Sequence, residues 1–140
     1  MLEGAVTNGI HHLAIRVYYE DTDFSGFVYH SNYLKFCERA RSDFLRVLGV
    51  DQNTMFASGG AFVVRRMNCE FLQPAKFDDI LTVESTPGVA KGARFEISQR
   101  VLRGAGVLFT AEVTAVLIDQ NGRPKRLTTE LLSALARVTS

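Results

Sequence analysis

The stretch "YYEDTDFSGFVYHSNYLKFCERARSDFLR", residues 18–46, joins an acidic loop to a long amphipathic segment. Behind the loop, apolar side chains recur at the three- and four-residue spacing of a helix, at Tyr33, Cys37, Ala40, Phe44 and Leu48. Gly49 stands where a glycine commonly ends a helix. The pattern predicts a helix over residues 30–48, roughly 28 Å long at 1.5 Å per residue, which makes it the central element of a domain.

Two further predictions concern the N-terminal end and the polar face of this helix. His30, Ser31 or Asn32 is the expected N-cap, and Ser and Asn are the better residue types for that position. Arg39 and Asp43 are four residues apart, so they are expected to form an ion pair on the helix surface.

Alternation of apolar and polar residues predicts five strands, over residues 13–19, 63–71, 80–85, 95–101 and 107–117. Pro87-Gly88 and Asn121-Gly122 are turn signals that should end the third and fifth of these strands. Two shorter helices are expected over residues 51–58 and 128–138, the latter capped by Thr128 or Thr129.

One early strand, one long helix and then four strands in series indicate the α+β class. Short turns link the strands, so the sheet should be antiparallel and curled around the helix. One central helix covers only one face of a sheet. The far face or an edge then needs a partner, and we expect an oligomer.

Composition limits the function classes. The 140 residues suit a single domain over residues 1–140, and 46% hydrophobic and 22% charged residues are ordinary for a soluble protein. Lys plus Arg is 16 and Asp plus Glu is 15, which argues against a nucleic-acid surface. We find no membrane span and no secretory signal, and Cys37 and Cys69 fall in apolar patterns typical of reduced core residues. These features predict a cytoplasmic protein.

The acids before the helix admit two interpretations. A helix N-terminus carries unpaired N–H groups and partial positive charge, so Asp21 or Asp23 can simply complement it. The alternative is acyl-transfer chemistry, in which a carboxylate attacks or activates water while helix N–H groups polarise a carbonyl. Asp23 lies several residues before the helix, across a turn at Gly26, which is unusual for a dedicated cap. Ser25 lacks the Gly-x-Ser-x-Gly context of a nucleophilic serine.

The motif "RVYYEDTD", followed by a glycine and "VYHSNYLKFCERAR", resembles the hotdog-fold acyl-CoA thioesterases. It is most similar to the subgroup associated with the tol-pal gene cluster (YbgC-type), related to 4-hydroxybenzoyl-CoA thioesterase. The segment "AFVVRRMNCEFLQPAKFDDIL" resembles the second strand of that family, so the resemblance covers nearly the whole chain. It implies a hotdog fold, with a sheet wrapped around a central helix, and active sites at the interface of a homodimer or homotetramer.

The resemblance also implies residue roles. Asp23 matches the acid on which hydrolysis depends, and the N–H groups near Tyr29 and His30 match those that polarise the thioester carbonyl. His30 is expected to orient or hydrogen-bond the substrate; a buried capping histidine is the alternative. Tyr19 matches a tyrosine that lines the site, and Phe24 and Gly26 in the same loop are also expected to contact the substrate. More weakly, Lys91 and Arg126 match residues that bind the coenzyme phosphates, and they are otherwise ordinary surface cations.

One departure concerns the loop itself. The subgroup usually has small residues where this chain has Phe24-Ser25. A phenylalanine beside the acid is expected to reshape the acyl pocket, so the sequence does not identify the acyl group of the substrate. The sequence also does not decide whether the thiol part of the substrate is coenzyme A or an acyl carrier protein.

Other polar residues compete for functional roles. Glu38 is a rival acid, although Arg39 and Arg41 beside it favour a structural ion pair. His11 and His12 are adjacent on a predicted strand and should point to opposite faces, so they cannot both bind one metal. We expect no metal and no cofactor other than the coenzyme A of the substrate.

Two other functions remain compatible with these residues. One is a hotdog dehydratase, which needs an acid–base pair near the acyl C2–C3 bond. The other is a non-catalytic module that binds acyl-CoA or an acyl carrier protein.

Overall fold

The computed structural model describes residues 3–139. A central helix, α1 (His30–Val47), lies where the apolar spacing places it, and its buried face includes Tyr33, Phe36 and Phe44. The helix ends in a Schellman motif, because Gly49 N–H donates to the Arg46 carbonyl and Val50 N–H to the Leu45 carbonyl, at 3.0 and 2.9 Å. Gly49 has φ +87°, the left-handed conformation that this motif requires.

Six strands form one antiparallel sheet in the order β1-β2-β4-β5-β6-β3. Their bounds are β1 (Ala5–Thr7), β2 (Ile10–Arg16), β3 (Gly60–Phe71), β4 (Ile80–Lys91), β5 (Arg94–Arg103) and β6 (Gly106–Asp119). The remaining helices are α2 (Gln52–Ala57) and α3 (Thr129–Thr139). The predicted α+β class and the sheet around one long helix are confirmed.

Three differences between the observed and the predicted strands exceed a shift of a few residues at one end. The sheet has a sixth strand, β1, which pairs with β2 across Asn8 and Gly9, both with positive φ. The strand predicted to end at Pro87-Gly88 continues to Lys91, because a bulge between Pro87 and Ala90 accommodates the proline. Tyr19, predicted as the end of a strand, lies instead in a 3-10 turn over Tyr19–Asp21.

Two predictions about α1 are wrong. Its N-cap is Tyr29, which makes no side-chain capping bond, and His30 is the first helical residue. Asp43 is buried and does not pair with Arg39; its carboxylate bonds His11 Nε2 at 2.6 Å and Gly4 N–H at 2.9 Å. The predicted cap of α3 is confirmed, since Thr128 Oγ1 accepts from Leu131 N–H.

The core lies between α1 and the inner face of the sheet. Phe36, Leu81, Val101 and Phe109 are among its fully buried members. The outer face is polar: Arg100 bonds Glu84, and Ser98 bonds Glu112. This face therefore does not require an apolar cover, and the argument for a partner rests on β3, an edge strand of 12 residues with Val63, Val64 and Phe71 exposed.

Candidate active site

The acidic loop is a tight hairpin that presents Asp23. Thr22 and Val28 form a β-bridge, Asp23 N–H donates to the Phe27 carbonyl, and Gly26 N–H donates back to the Asp23 carbonyl. Gly26 has φ +86°, which a residue with a side chain rarely adopts. Backbone geometry thus fixes the position of Asp23 near the tip, and Gly26 shapes the turn.

Asp21 has a structural role. It is buried, and its carboxylate accepts from Tyr18 N–H at 2.9 Å and from Asn32 Nδ2 at 2.8 Å. Because Asn32 lies in the first turn of α1, this carboxylate joins the loop to the helix.

Three further bonds hold the loop against the start of α1. Tyr29 N–H donates to the Asp21 carbonyl at 2.9 Å, and Val28 N–H donates to the Ala75 carbonyl at 2.8 Å. The buried Tyr33 hydroxyl accepts from Ala75 N–H at 2.9 Å, and burial raises the pKa of that phenol. The hairpin and the helix N-terminus therefore form one rigid unit.

The open end of α1 offers two N–H groups. Those of His30 and Ser31 have no acceptor within residues 3–139, whereas Asn32 N–H donates to the Tyr29 carbonyl at 2.8 Å. The Tyr29 N–H is already used by Asp21, so the available donors begin one residue later than predicted. Unpaired N–H groups at a positively polarised helix end suit an anion or a developing oxyanion.

The Asp23 carboxylate is exposed and held by Ser25. Asp23 Oδ1 accepts from the Ser25 hydroxyl and from Ser25 N–H, the latter at 2.8 Å. The hydroxyl bond, and then the backbone bond, lower the pKa of the Asp23 carboxyl, with a smaller contribution from the charge of His30. The side chain is thus an anion at neutral pH with one oxygen, Oδ2, free of protein partners in the described residues.

His30 is exposed, so the alternative of a buried capping histidine does not apply. Its ring lies 4.3 Å from the Tyr29 ring and 6.5 Å, edge-on, from the Phe71 ring. His30 therefore lies between the acidic loop and the end of β3.

Aromatic side chains surround this region without covering it. Tyr19 stacks on Phe77 with 4.1 Å between ring centroids, yet Tyr19 is 77% exposed. Phe24 is fully exposed to solvent within residues 3–139. Its predicted effect on the acyl pocket remains a prediction.

Lys91 and Arg126 are brought together, but far from Asp23. Leu127 N–H donates to the Gly92 carbonyl at 2.7 Å, which places Arg126 beside the turn that follows Lys91. That turn ends β4, whereas β4 starts at Ile80 beside the acidic loop. At about 3.3 Å per strand residue, the two sites within one chain are on the order of 30 Å apart.

Several polar groups at the site were not predicted. Lys76 and Arg103 border a cleft beside Phe27, and Arg103 bonds Asp79 at 2.8 Å. Lys76 and Asp79 lie in the "PAKFDD" segment, which has no periodicity that would single them out, and Arg103 lies at the end of β5.

His11 and His12 point to opposite faces, as predicted: His11 is fully buried and His12 is partly exposed. Glu38 belongs to none of the ion pairs formed within residues 3–139, so its predicted pairing with Arg39 or Arg41 is absent from that part of the chain.

Three features of the structure concern reactive thiols, metal sites and membrane spans. Cys37 and Cys69 are free thiols, and burial raises the pKa of Cys37 to about 12. Within residues 3–139, no three His, Cys, Asp or Glu side chains are placed to share a metal ion. No helix in the same range combines the length and apolarity needed to cross a bilayer.

Known proteins resemble this chain in sequence and fold. Residues 17–135 match the thioesterase-like superfamily. Acyl-CoA thioester hydrolase YbgC of Escherichia coli O6:H1 is 41% identical over 75% of this chain and 79% of its own length. Acyl-CoA thioesterase YbgC of Haemophilus influenzae is 42% identical over 75% of this chain and 78% of its own length.

A solved structure agrees with the sequence relatives. The crystal structure of a probable thioesterase from Bartonella henselae has a TM-score of 0.81 and 44% identity, and the match covers 85% of this chain and 99% of that one. The predicted family, fold and enzyme class are confirmed. The chain belongs to the thioesterase-like superfamily, as a thioester hydrolase of the hotdog fold.

Proposed function

We propose that the protein hydrolyses acyl-CoA thioesters to a free acid and coenzyme A. The observation that carries the proposal is the exposed, ionised Asp23 at the tip of a hairpin that is locked to the open N-terminus of α1. The names of the relatives at 41% and 42% identity support the substrate class.

The thioester carbonyl lies over the start of α1, where the His30 and Ser31 N–H groups stabilise the oxyanion. These donors are already in place, so no reorganisation is needed in the transition state. Loss of one such donor typically costs about 2.7–4 kcal/mol of barrier.

Asp23 acts as the nucleophile in this proposal. The Ser25 bonds lower the pKa of the Asp23 carboxyl, which makes it a poor acceptor of a proton from water. The free Oδ2 attacks the acyl carbon, the C–S bond breaks, and coenzyme A leaves as a thiolate. Water then hydrolyses the mixed anhydride, which releases the acid and restores the carboxylate.

A second copy of the chain completes the site. The exposed Tyr19 and Phe24 and the edge of β3 need a cover that the described residues do not supply. Lys91 and Arg126, roughly 30 Å from their own Asp23, serve a neighbouring subunit if they bind phosphates. We therefore propose that the protein works as a homodimer or a pair of dimers in the cytoplasm. Its substrates are coenzyme A thioesters, and it requires no other cofactor.

Thiol release from a panel of short, long and aromatic acyl-CoA substrates tests the proposal. Asp23→Asn should lower kcat/KM at least about 100-fold. Glu20→Gln is the matched control, because Glu20 is an exposed acid three residues earlier in the same loop. Equal losses in both variants would show that loop charge, not the Asp23 carboxylate, matters.

The same panel separates the alternatives. Binding of acyl-CoA without thiol release indicates a binding module, and hydration of an enoyl-CoA without thiol release indicates a dehydratase. Acyl carrier protein thioesters, assayed in parallel, identify the thiol donor.

A single turnover in ¹⁸O-labelled water distinguishes the two roles of Asp23. Label or an acyl adduct on the Asp23 peptide supports attack. Label found only in the released acid, with no adduct on rapid quenching, supports the general-base role.

A further inference from the structure

Two buried polar side chains join the acidic hairpin to the start of α1, and the proposed chemistry uses neither of them. Asp21 is 2% exposed and Asn32 is 7% exposed. Asn32 Nδ2 donates to Asp21 Oδ1 at 2.8 Å, and Asp21 Oδ2 accepts from Tyr18 N–H at 2.9 Å. Both carboxylate oxygens are therefore bonded within the protein, so this pair acts on the loop and the helix and not on a substrate.

The same pair also holds the backbone of Tyr29. Tyr29 N–H donates to the Asp21 carbonyl at 2.9 Å, and Asn32 N–H donates to the Tyr29 carbonyl at 2.8 Å. We call these two bonds and the side-chain bond between Asp21 and Asn32 the loop–helix clamp. The clamp encloses the two residues that carry the open N–H groups, and Asp23 follows Asp21 by two residues. It therefore fixes those N–H groups relative to the hairpin that presents Asp23.

The clamp takes the place of a conventional helix cap. Tyr29 occupies the N-cap position with φ −64° and ψ 137°, an extended conformation, but its side chain makes no capping bond. A Ser, Thr, Asp or Asn at an N-cap would accept from the N–H of the second or third helical residue, here Ser31 or Asn32. In a capping box the third helical residue reaches back to the N-cap, whereas Asn32 reaches to Asp21 in the hairpin.

This arrangement matters for the open donors. A side-chain cap stabilises a helix end by occupying one of its unpaired N–H groups. The clamp anchors the helix end through Tyr29 and Asn32 instead. Across residues 3–139 it leaves the N–H groups of His30 and Ser31 without an acceptor. The helix end is thus held without use of the donors that a developing oxyanion needs.

We propose that Asp21 and Asn32 are positioning residues for thioester hydrolysis. They hold the start of α1 against the hairpin in place of an N-cap, and so keep the His30 and Ser31 N–H groups free for the thioester oxygen. This inference rests on the proposed function, because it assigns the oxyanion to those two N–H groups. Loss of the clamp should lower kcat more than it changes KM, because the misplaced donors act mainly in the transition state.

Asn32→Leu removes the amide and keeps a side chain of similar size. Thiol release by the folded variant should show kcat lowered about tenfold or more, with KM within about twofold of wild type. Gln99→Met is the matched control, because Gln99 is another buried amide, 1% exposed, that ties α1 to the sheet through the Cys37 carbonyl. It should lower the midpoint of urea unfolding and leave kcat within about twofold of wild type.

A reciprocal exchange tests the bond itself. Asn32→Asp alone sets two carboxylates against each other and should lower kcat. The double variant Asp21→Asn/Asn32→Asp moves the amide to the hairpin and the carboxylate to the helix, so the side-chain bond re-forms in the opposite direction. The amide oxygen on the hairpin still accepts from Tyr18 N–H. The double variant should therefore recover most of the kcat that Asn32→Asp loses.

A ketone analogue of butanoyl-CoA, in which a CH₂ group replaces the thioester sulfur, tests the donors without turnover. Its carbonyl oxygen should move the amide proton signals of His30 and Ser31 to lower field in the NMR spectrum of the wild-type protein. The shift should be smaller in Asn32→Leu at saturating ligand and unchanged in Gln99→Met.

Three results would overturn the inference. One is a folded Asn32→Leu variant with the kcat of wild type, and another is an equal loss of kcat in Gln99→Met, which would assign the loss to general destabilisation. The third, decisive if Asn32→Leu does not fold, is a folded double variant that recovers none of the lost kcat. If wild type shows the two amide shifts but releases no thiol, the proposed hydrolysis fails and the positioning of the donors stands.

Discussion

Two aspartate–histidine pairs in this chain have opposite environments. His11 and Asp43 are buried, their side chains are 2.6 Å apart, and the Asp43 carboxylate also accepts from Gly4 N–H and Arg46. Asp23 and His30 are exposed, and the Asp23 carboxylate keeps one oxygen free of protein partners in the described residues. The Asp43 carboxylate is thus occupied by bonds within the fold, whereas the Asp23 carboxylate keeps an oxygen available, as the proposed chemistry requires.

The largest effect should follow from breaking the buried pair. Asp43→Ala leaves His11 Nε2 and Gly4 N–H without their partner, and each buried polar group left unsatisfied typically costs about 1–3 kcal/mol. Urea denaturation should show this loss in the free energy of unfolding.

Glu96→Ala is the control for that measurement. Glu96 pairs with Arg94 at 3.6 Å on the exposed side of the sheet, so its loss should cost less than about 1 kcal/mol. If Asp43→Ala were no more costly than Glu96→Ala, the buried pair would not be a structural element.

The sequence marks one of these pairs and not the other. Asp23 and His30 lie in one contiguous motif, and the glycine turn between them signals their arrangement. His11 and Asp43 are 32 residues apart, and their meeting depends on how α1 packs across β2. Helical spacing alone placed Asp43 near Arg39, because a local pattern contains no information on what the opposite strand provides.

Other differences have similarly specific causes. The apolar periodicity predicted α1 to within one residue of its observed end, and α3 to within one residue at each end. The alternation pattern does not predict strand β1, although Asn8-Gly9 is a strong hairpin signal, because the three residues of β1 are too few to show alternation. The sequence marks Arg41 only as a neighbour of Glu38, because Gln99, which accepts a hydrogen bond from Arg41, is 58 residues away.

A second prediction sharpens the comparison within the acidic loop, where Asp21 is buried and Asp23 is exposed. Asp21→Ala leaves Tyr18 N–H and Asn32 Nδ2 without an acceptor, which should cost about 1–3 kcal/mol of unfolding free energy. Thermal or urea unfolding measures that loss.

Asp23→Asn should leave stability almost unchanged, because its carboxylate is solvent-exposed. Activity should show the reverse order, with the larger loss in Asp23→Asn. A variant at Asp21 that retains full stability would remove the distinction between a structural and a functional acid in this loop.

The smallest effect concerns Ser25, whose two bonds lower the pKa of the Asp23 carboxyl. Ser25→Ala removes the hydroxyl bond and keeps the backbone bond, so the pKa should rise toward its ordinary value. Activity that needs the carboxylate is lost as pH falls through this pKa. The acidic limb of the kcat/KM profile should therefore move to higher pH in the variant, with little change at neutral pH, where Asp23 is ionised in both proteins.

An NMR titration of the Asp23 side-chain carboxyl measures the same pKa without turnover. It therefore shows whether a change in the activity profile comes from the protonation of Asp23 or from a change in loop structure. If the NMR titration moves and the activity profile does not, the ionisation that limits the rate belongs to another group. If both move together, the exposed Asp23 carboxylate at the helix N-terminus is the group whose charge the reaction uses, and the Ser25 hydroxyl lowers its pKa.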